Sequence, residues 1–140
     1  MKGETRKYLL DSDTLIAMLR DVKGHTGLRQ RALNVGLDKC YVSAISLAEL
    51  SSGAYRMASE RGLFEVEFAK SVFNILPFDC GKAPDFFGKA KALLCGSGTP
   101  LDDMDLLIAA SAMAGGMTVV THNIRHFARI PDLKVEDWLG

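Results

Sequence analysis

Short apolar runs alternate along this sequence with segments whose apolar residues recur at helical spacing. Tyr8–Leu10 is one such run, and Thr14–Arg20 follows it with apolar residues spaced as on one face of a helix. The same alternation continues to the end of the sequence. Strands that are separated by helices pair in parallel and bury both faces of their sheet. The sequence therefore predicts an α/β fold, a three-layer α/β/α sandwich with a mostly parallel central sheet.

The boundaries of these elements follow from periodicity and from glycine, proline and capping residues. Strands are predicted at Tyr8–Leu10, Cys40–Val42, Ile75–Phe78, Met117–Val120 and Lys134–Val135. Helices are predicted at Thr14–Arg20, from Leu28 to near Gly36, from a cap at Ser43 or Ser46 to Gly62, along the stripe Phe64, Phe68, Val72 and Phe73, at Ala83–Leu94 and at Asp102–Ala114. Gly24 and Gly27 indicate a loop. We expect the phenylalanine stripe to be core, or in part to pack on a second copy of the chain.

Composition limits the classes of protein to which the sequence can belong. The 140 residues are most economically one domain, spanning 1–140, and 48% of them are hydrophobic. Lysine and arginine number 17, as do aspartate and glutamate, so any contact with nucleic acid must use a local patch. The three cysteines are dispersed without CxxC spacing, which argues against a disulfide framework or a structural zinc site. We expect no membrane span, no signal peptide and a cytoplasmic protein.

Four acidic or amide residues stand at the edges of apolar runs: Asp11, Glu49, Asp105 and Asn123. Asp11 follows the first predicted strand, and Asn123 follows the strand that ends near Val120. In open parallel sheets the binding crevice lies beyond the carboxyl ends of the strands, where the strand order reverses. We expect the four side chains to converge there. Carboxylate and amide oxygens suit Mg²⁺ or Mn²⁺, which can activate a water and neutralise charge on a phosphodiester.

Five segments of the chain resemble PIN-domain ribonucleases, and most closely the VapC-type toxins of prokaryotic toxin–antitoxin pairs. These segments are Tyr8–Ile16, Ser43–Leu50, Asp105–Ala110, Val119–Phe127 and Leu133–Trp138. The resemblance implies a metal-dependent endoribonuclease in which Asp11, Glu49 and Asp105 bind Mg²⁺ or Mn²⁺ and Asn123 takes the fourth position. It also implies an RNA substrate such as a tRNA loop, a homodimer, and a cognate antitoxin whose tail covers the site. Asp13 departs from the pattern, because many of these toxins carry Asn there.

Each of these residues also has a structural interpretation. Asp11 can cap the first helix, Glu49 can lie on a solvated helical face, and Asn123 can serve a turn. For Asp105, which sits among apolar neighbours, we expect a partner, since an unpaired buried carboxylate is costly. We expect Asp102 to cap its helix and Asp103 to be a first-turn acid, with the alternative that one of them reaches the metal ion. We expect Trp138 to be a packing anchor.

Parts of the sequence are also compatible with two other enzyme classes or with a non-enzymatic role. Asp11-Ser12-Asp13 after a strand is similar to the nucleophile motif of haloacid-dehalogenase-like phosphatases, but the later acidic pair Asp102-Asp103 opens a helix instead of following a strand. His122 and His126 have metal-like spacing without the glutamate of the zinc-protease motif, so zinc is disfavoured. A non-catalytic module that binds RNA or protein remains an alternative.

Overall fold

A computed structural model describes residues 6–21 and 27–139 of the chain. The strands are β1 (Tyr8–Leu10), β2 (Cys40–Ser43), β3 (Asn74–Leu76), β4 (Thr118–Val120) and β5 (Val135–Glu136). The helices are α1 (Ser12–Arg20), α2 (Gly27–Val35), α3 (Ala44–Arg56), α4 (Glu60–Val72), α5 (Ala83–Gly96), α6 (Asp103–Gly115) and α7 (Ile124–Phe127), with a 3₁₀ turn at Leu37–Lys39. The predicted loop at Gly24 lies outside the described residues.

All pairings between these strands are parallel, and the sheet order is β3-β2-β1-β4-β5. Leu10 of β1 is in register with Val42 of β2 on one side and with Val120 of β4 on the other. Along the chain, β2 and β3 are added on one side of β1, and β4 and β5 are then added on its other side. The strand order reverses between β1 and β4, which places the expected crevice beyond their carboxyl ends.

The two faces of the sheet carry separate hydrophobic cores, because neighbouring side chains on a strand point to opposite faces. Leu10 belongs to the core under α1, α2, α3 and α4, together with Leu15 and Val42. Leu9 belongs to the other core, with Ile108 of α6 and Phe127 of α7. Helices on both faces of a parallel sheet form the predicted three-layer α/β/α sandwich.

One predicted helix boundary is wrong. The third helix ends at Arg56, not at Gly62, and Gly62 lies inside α4. Ala58 takes a left-handed conformation with φ of 50°, and Ser59 then caps α4 by accepting a hydrogen bond from the Gly62 backbone amide. A Cβ added to Gly62 would lie 2.8 Å from the Cβ of Ala54 on α3. Gly62 is therefore explained by close packing of α3 and α4, a tertiary constraint that local sequence does not reveal.

The phenylalanine stripe is core only in part. Phe73 is buried, but Phe64 is 67% exposed and Phe68 is 47% exposed. Their rings stack on each other with centroids 6.2 Å apart. The core prediction is therefore wrong for Phe64 and Phe68, because α4 packs on the domain through Val66 and Ala69 instead.

Smaller differences concern element ends. The third strand is Asn74–Leu76, not Ile75–Phe78, since Pro77 has no amide hydrogen to continue a sheet ladder. The 3₁₀ turn and α7 were not predicted. Ser43, and not Ser46, caps α3, and Asp102 caps α6 as expected. No helix within the described ranges is both long enough and apolar enough to cross a bilayer.

Candidate metal-dependent nuclease site

The loops after β1 and β4 meet where the strand order reverses. The backbone amide of Asp11, the residue after β1, donates to the Val120 carbonyl of β4 at 3.0 Å. Thr121, the residue after β4, is buried beside it. The topology of the sheet therefore brings residues that are 110 positions apart in the sequence to the same rim.

The Asp11 side chain is buried, and both of its carboxylate oxygens accept hydrogen bonds. Its Oδ1 accepts the Thr14 backbone amide at 2.8 Å, which caps α1, and its Oδ2 accepts the Thr121 hydroxyl at 2.6 Å. Burial raises the pKa of Asp11 above its ordinary value, although the hydrogen bonds from Thr121 and Thr14 work against that change. Asp11 thus serves as a helix cap, and the same hydrogen bonds orient its carboxylate at the crevice.

Glu49 lies on α3 and is half-buried, not on a fully solvated face. Its Oε1 accepts the Ser12 hydroxyl at 2.6 Å, and the Ser12 and Ser46 hydroxyls are 2.9 Å apart. Ser12 is the first residue of α1 and therefore stands next to Asp11. The Ser12 hydroxyl of α1 thus holds the Glu49 carboxylate of α3 over the same rim.

Asp105 lies in the first turn of α6, whose N-cap is Asp102. Among the described residues, none donates a hydrogen bond or forms an ion pair with its side chain, so the partner expected from the sequence is not found. Burial, followed by the nearby carboxylates of Asp102, Asp11, Glu49 and Asp13, raises the pKa of Asp105 to about 6. Negative charge without a balancing partner among the described residues is therefore concentrated at Asp105.

Asn123 is close to this cluster through its backbone. Its amide donates to the Thr121 hydroxyl at 2.9 Å, and Thr121 in turn donates to Asp11. The Asn123 side chain is exposed and does not cap α7. The structure therefore brings Asp11 and Glu49 close enough to Asp105 to raise its pKa, and it leaves the Asn123 side chain at the edge of the group.

The acidic side chains at the rim do not by themselves form a complete set of metal ligands. Within residues 6–21 and 27–139, no three His, Cys, Asp or Glu side chains converge closely enough to hold a metal ion together. Mg²⁺, however, usually keeps several waters and takes only one or two protein carboxylates, completing its shell with substrate phosphate. Oxygen donors of this kind, with the charge excess around Asp105, suit a hard divalent cation better than zinc, which is bound mainly by Cys and His.

Two features of this rim were missed from the sequence alone. One is the role of Ser12, which only the packing of α1 on α3 brings to Glu49. The other is the contact between the His122 imidazole Nδ1 and the Asp137 carboxylate, at 3.2 Å. Both are pairs of residues from distant segments, and neither has a local sequence signature.

A groove of about 710 Å³ begins at Ser12, Asp13 and Glu49. It continues between α1, α3 and α4 along apolar side chains that include Ile16, Leu50 and Met57. The groove ends at Glu65, which is buried and accepts hydrogen bonds from the Arg20 guanidinium at 3.1 Å. An extended chain lying in this groove would reach the acidic cluster from one side.

The chain is similar in sequence to known proteins. The sequence matches the family model of the PIN domain over residues 8–133. It is 37% identical over 133 residues to the tRNA(fMet)-specific endonuclease VapC of Salmonella typhimurium, covering 94% of this chain and 98% of that protein. It is 32% identical over 134 residues to ribonuclease VapC2 of Haemophilus influenzae, covering 95% and 98%.

Solved structures give the same result. The crystal structure of DNA-bound VapBC from Salmonella typhimurium contains a chain that superposes with a TM-score of 0.83 at 36% identity, over 95% of this chain and 98% of that one. VapBC-1 from nontypeable Haemophilus influenzae gives a TM-score of 0.81 at 27% identity, over 95% and 98%. The match to the family model and these relatives show that the chain belongs to the PIN domain family.

Proposed function

We propose that this protein is an endoribonuclease that hydrolyses RNA with Mg²⁺ or Mn²⁺ and acts as the toxin of a toxin–antitoxin pair. The observation that carries the proposal is Asp105, a half-buried carboxylate surrounded by other carboxylates at the switch point of the sheet. The relatives named as ribonucleases and as a tRNA(fMet)-specific endonuclease support RNA, and a tRNA loop in particular, as the substrate class.

Asp11, Glu49 and Asp105 would hold the cation in this proposal, with Asn123 at the edge of the group. A bound divalent ion supplies charge neutralisation at the scissile phosphate and lowers the pKa of an attacking water. Thr14 and Thr121 fix the orientation of Asp11, and Ser12 fixes Glu49. Preorganised carboxylates of this kind spare the site the cost of reorganising when substrate binds.

Cleavage of labelled total tRNA tests the proposal. Wild-type protein is incubated with Mg²⁺, with Mn²⁺ or with EDTA, alongside the variants Asp11→Asn and Asp105→Asn. Cleavage is expected with either metal, and loss of activity by a factor of about 10² or more is expected in EDTA and in both variants.

Asp103→Asn is the matched control. Asp103 lies in the same first turn of α6 but points to Lys91, whose ammonium is 2.9 Å from its Oδ1. This variant removes one negative charge from the same helix end and should keep wild-type cleavage. Full activity of Asp105→Asn, or equal loss in Asp103→Asn, would refute the assignment of the site.

A cognate antitoxin is the protein partner that we propose. Solved relatives are VapBC assemblies, which supports a partner bound to this chain as well. The groove along Ile16, Leu50 and Met57 would accept the antitoxin tail, and a basic side chain on that tail could pair with the carboxylates at its end. Phe64 and Phe68 remain candidates for the homodimer contact.

The two remaining alternatives make different predictions. A phosphatase that uses Asp11 as nucleophile would hydrolyse a small phosphoester, and it is disfavoured because Asp102 and Asp103 open α6. A non-catalytic module would bind neither Mn²⁺ nor the substrate phosphate at the acidic rim. Calorimetric titration with Mn²⁺ separates that module from a nuclease.

A further inference from the structure

A cavity of about 220 Å³ lies on the other side of Asp13 from the groove. Its floor is apolar and consists of side chains from four separate segments, Ala17, Leu28, Val120 and Trp138, all of them buried. Its rim is polar and carries Asp13, His122, Asn123 and Asp137. An apolar floor with a few polar groups around it is the usual composition of a ligand site.

The cavity is contiguous with the acidic cluster. Asp13 belongs to its rim and is also one of the carboxylates that raise the pKa of Asp105. Asn123, another rim residue, is joined to Asp11 through the Thr121 hydroxyl. A nucleotide whose phosphate lies at the cluster would therefore have this cavity within reach of its own base or of the adjacent one.

The size and the polar groups favour one kind of occupant. The cavity is smaller than the roughly 300 Å³ at which sites for drug-sized ligands begin, so it suits a single planar ring system. Asp137 is held in place, with Oδ1 accepting the Leu139 backbone amide at 2.9 Å and Oδ2 lying 3.2 Å from the His122 imidazole. Carboxylates at the rim accept hydrogen bonds and so favour bases that carry an exocyclic amino group.

We propose that this cavity receives one unstacked base of the RNA next to the scissile phosphate, and that Asp137 and Asp13 select for a base with an exocyclic amino group. RNA-binding proteins commonly read single-stranded loops by splaying out bases and contacting their edges. The inference rests on the proposed nuclease function and adds to it a specificity determinant. Asp137 is in this view a substrate-selecting residue, not a catalytic one.

The first test needs no variant. A tRNA-derived stem-loop that the wild-type protein cleaves is prepared with an abasic nucleotide at each position in turn around the mapped cut. One position next to the cut should lose about tenfold or more in kcat/KM when its base is removed. At that position adenine, guanine or cytosine should support faster cleavage than uracil. Uniform rates across the abasic series, or a preference for uracil, would overturn the inference.

The second test uses Asp137→Asn, with Asp132→Asn as the matched control. Asp132 undergoes the same chemical change, lies outside the cavity, and has a left-handed φ of 67°, which Asn tolerates well. In Asp137→Asn the abasic penalty should shrink to about threefold or less, while Asp132→Asn keeps the wild-type penalty. An unchanged penalty in Asp137→Asn contradicts the inference. Weaker antitoxin binding by Asp137→Asn, with an unchanged abasic penalty, also contradicts the inference, because the cavity would then serve the protein partner.

Failure of the inference differs from failure of the proposed function. If wild-type protein cleaves no RNA with Mg²⁺ or Mn²⁺, the nuclease proposal falls and the base cavity falls with it. Cleavage can instead depend on metal and be lost in Asp105→Asn, while its rate is the same whichever neighbouring base is removed. In that case only the base cavity is rejected.

Discussion

At the scale of single residues, the site combines two carboxylates that are held by hydrogen bonds with one that is not. Asp11 accepts two hydrogen bonds and Glu49 accepts one from Ser12, whereas Asp105 faces other carboxylates. A buried charge without a partner costs folding free energy unless a counter-ion is supplied. A cation bound at the acidic rim, as proposed, would therefore stabilise the folded protein, and the cost of leaving the rim without one can be measured.

Asp105→Asn should stabilise the metal-free protein at neutral pH. The pKa of Asp105 is raised to about 6 in the folded state, so between about pH 4 and pH 6 the folded chain binds more protons than the unfolded one. Stability therefore falls as pH rises through that window, and the full cost is present above it. We expect the variant to gain on the order of 1–2 kcal/mol at pH 7.5, allowing for solvent screening, and nothing at pH 4. Urea unfolding in EDTA at both pH values measures this, and a loss of stability at pH 7.5 would contradict it.

Ser12→Ala should reduce activity with little effect on folding. The change removes the 2.6 Å hydrogen bond that orients Glu49, while Ser12 is only half-buried at the start of α1. We expect kcat to fall by about tenfold and the free energy of unfolding to change by less than about 1 kcal/mol. Ser12→Thr keeps the hydroxyl and should restore most of the rate. Equal rates for Ser12→Ala and wild type would show that Glu49 needs no such support.

At the scale of elements, the packing of α3 against α4 sets the wall of the groove that leads to the site. Gly62 allows the two helices to approach closely at Ala54, and both residues line the groove. Glu65, further along α4, is buried and paired with Arg20 of α1. α1, α3 and α4 are thereby held as one unit, so the position of Glu49 depends on contacts far from the rim.

Gly62→Ala tests this packing. The new methyl would lie 2.8 Å from the Ala54 Cβ and 3.2 Å from its Cα, so the helices must separate. We expect a loss of about 1–3 kcal/mol in the free energy of unfolding, despite the better helix propensity of alanine. Gly88→Ala in α5 is the control, since nothing lies within 4 Å of its added methyl, and it should gain up to about 1 kcal/mol. Thermal or urea unfolding distinguishes the pair. Similar gains in both variants would show that α3 and α4 are not in tight contact.

At the scale of the whole molecule, the parallel sheet brings together residues from both ends of the chain. β1 lies between β2 and β4, so the first strand is flanked by one that follows soon after and by one near the end. The acidic rim consequently contains residues of α1, α3 and α6 at once. A cation bound there would link these parts of the fold, and its effect should appear in the stability of the entire domain.

Mn²⁺ should therefore raise the unfolding temperature of the wild-type protein. A ligand that binds only the folded state stabilises by about 2.7 kcal/mol at one hundred times its Kd. Protonation of Asp105 competes with the ion, so the increase should be present at pH 7.5 and largely lost at pH 5, below the pKa of about 6. Differential scanning calorimetry with and without Mn²⁺ measures it, using Asp105→Asn as the negative control and Asp103→Asn as the positive one. The same increase in Asp105→Asn would place the ion elsewhere.

Most of the fold was predictable from local signals. The short apolar runs beginning at Tyr8 and Cys40 are too short for helices, and caps such as Ser43 and Asp102 mark where helices begin. The alternation of strands and helices then leaves a parallel sheet as the simple solution. Errors arose where tertiary contact overrides local preference, as at Gly62 and at Phe64.

The sequence by itself determined most of the secondary structure, the parallel pairing and which acidic residues are candidates for the site, because these depend on periodicity and side-chain chemistry within short segments. Tertiary structure decided which hydroxyl holds Glu49, that Asp105 has no partner among the described residues, and that His122 meets Asp137 beside a cavity. These two contacts join residues 37 and 15 positions apart, and their distances follow from helix packing and strand order, which no local pattern encodes.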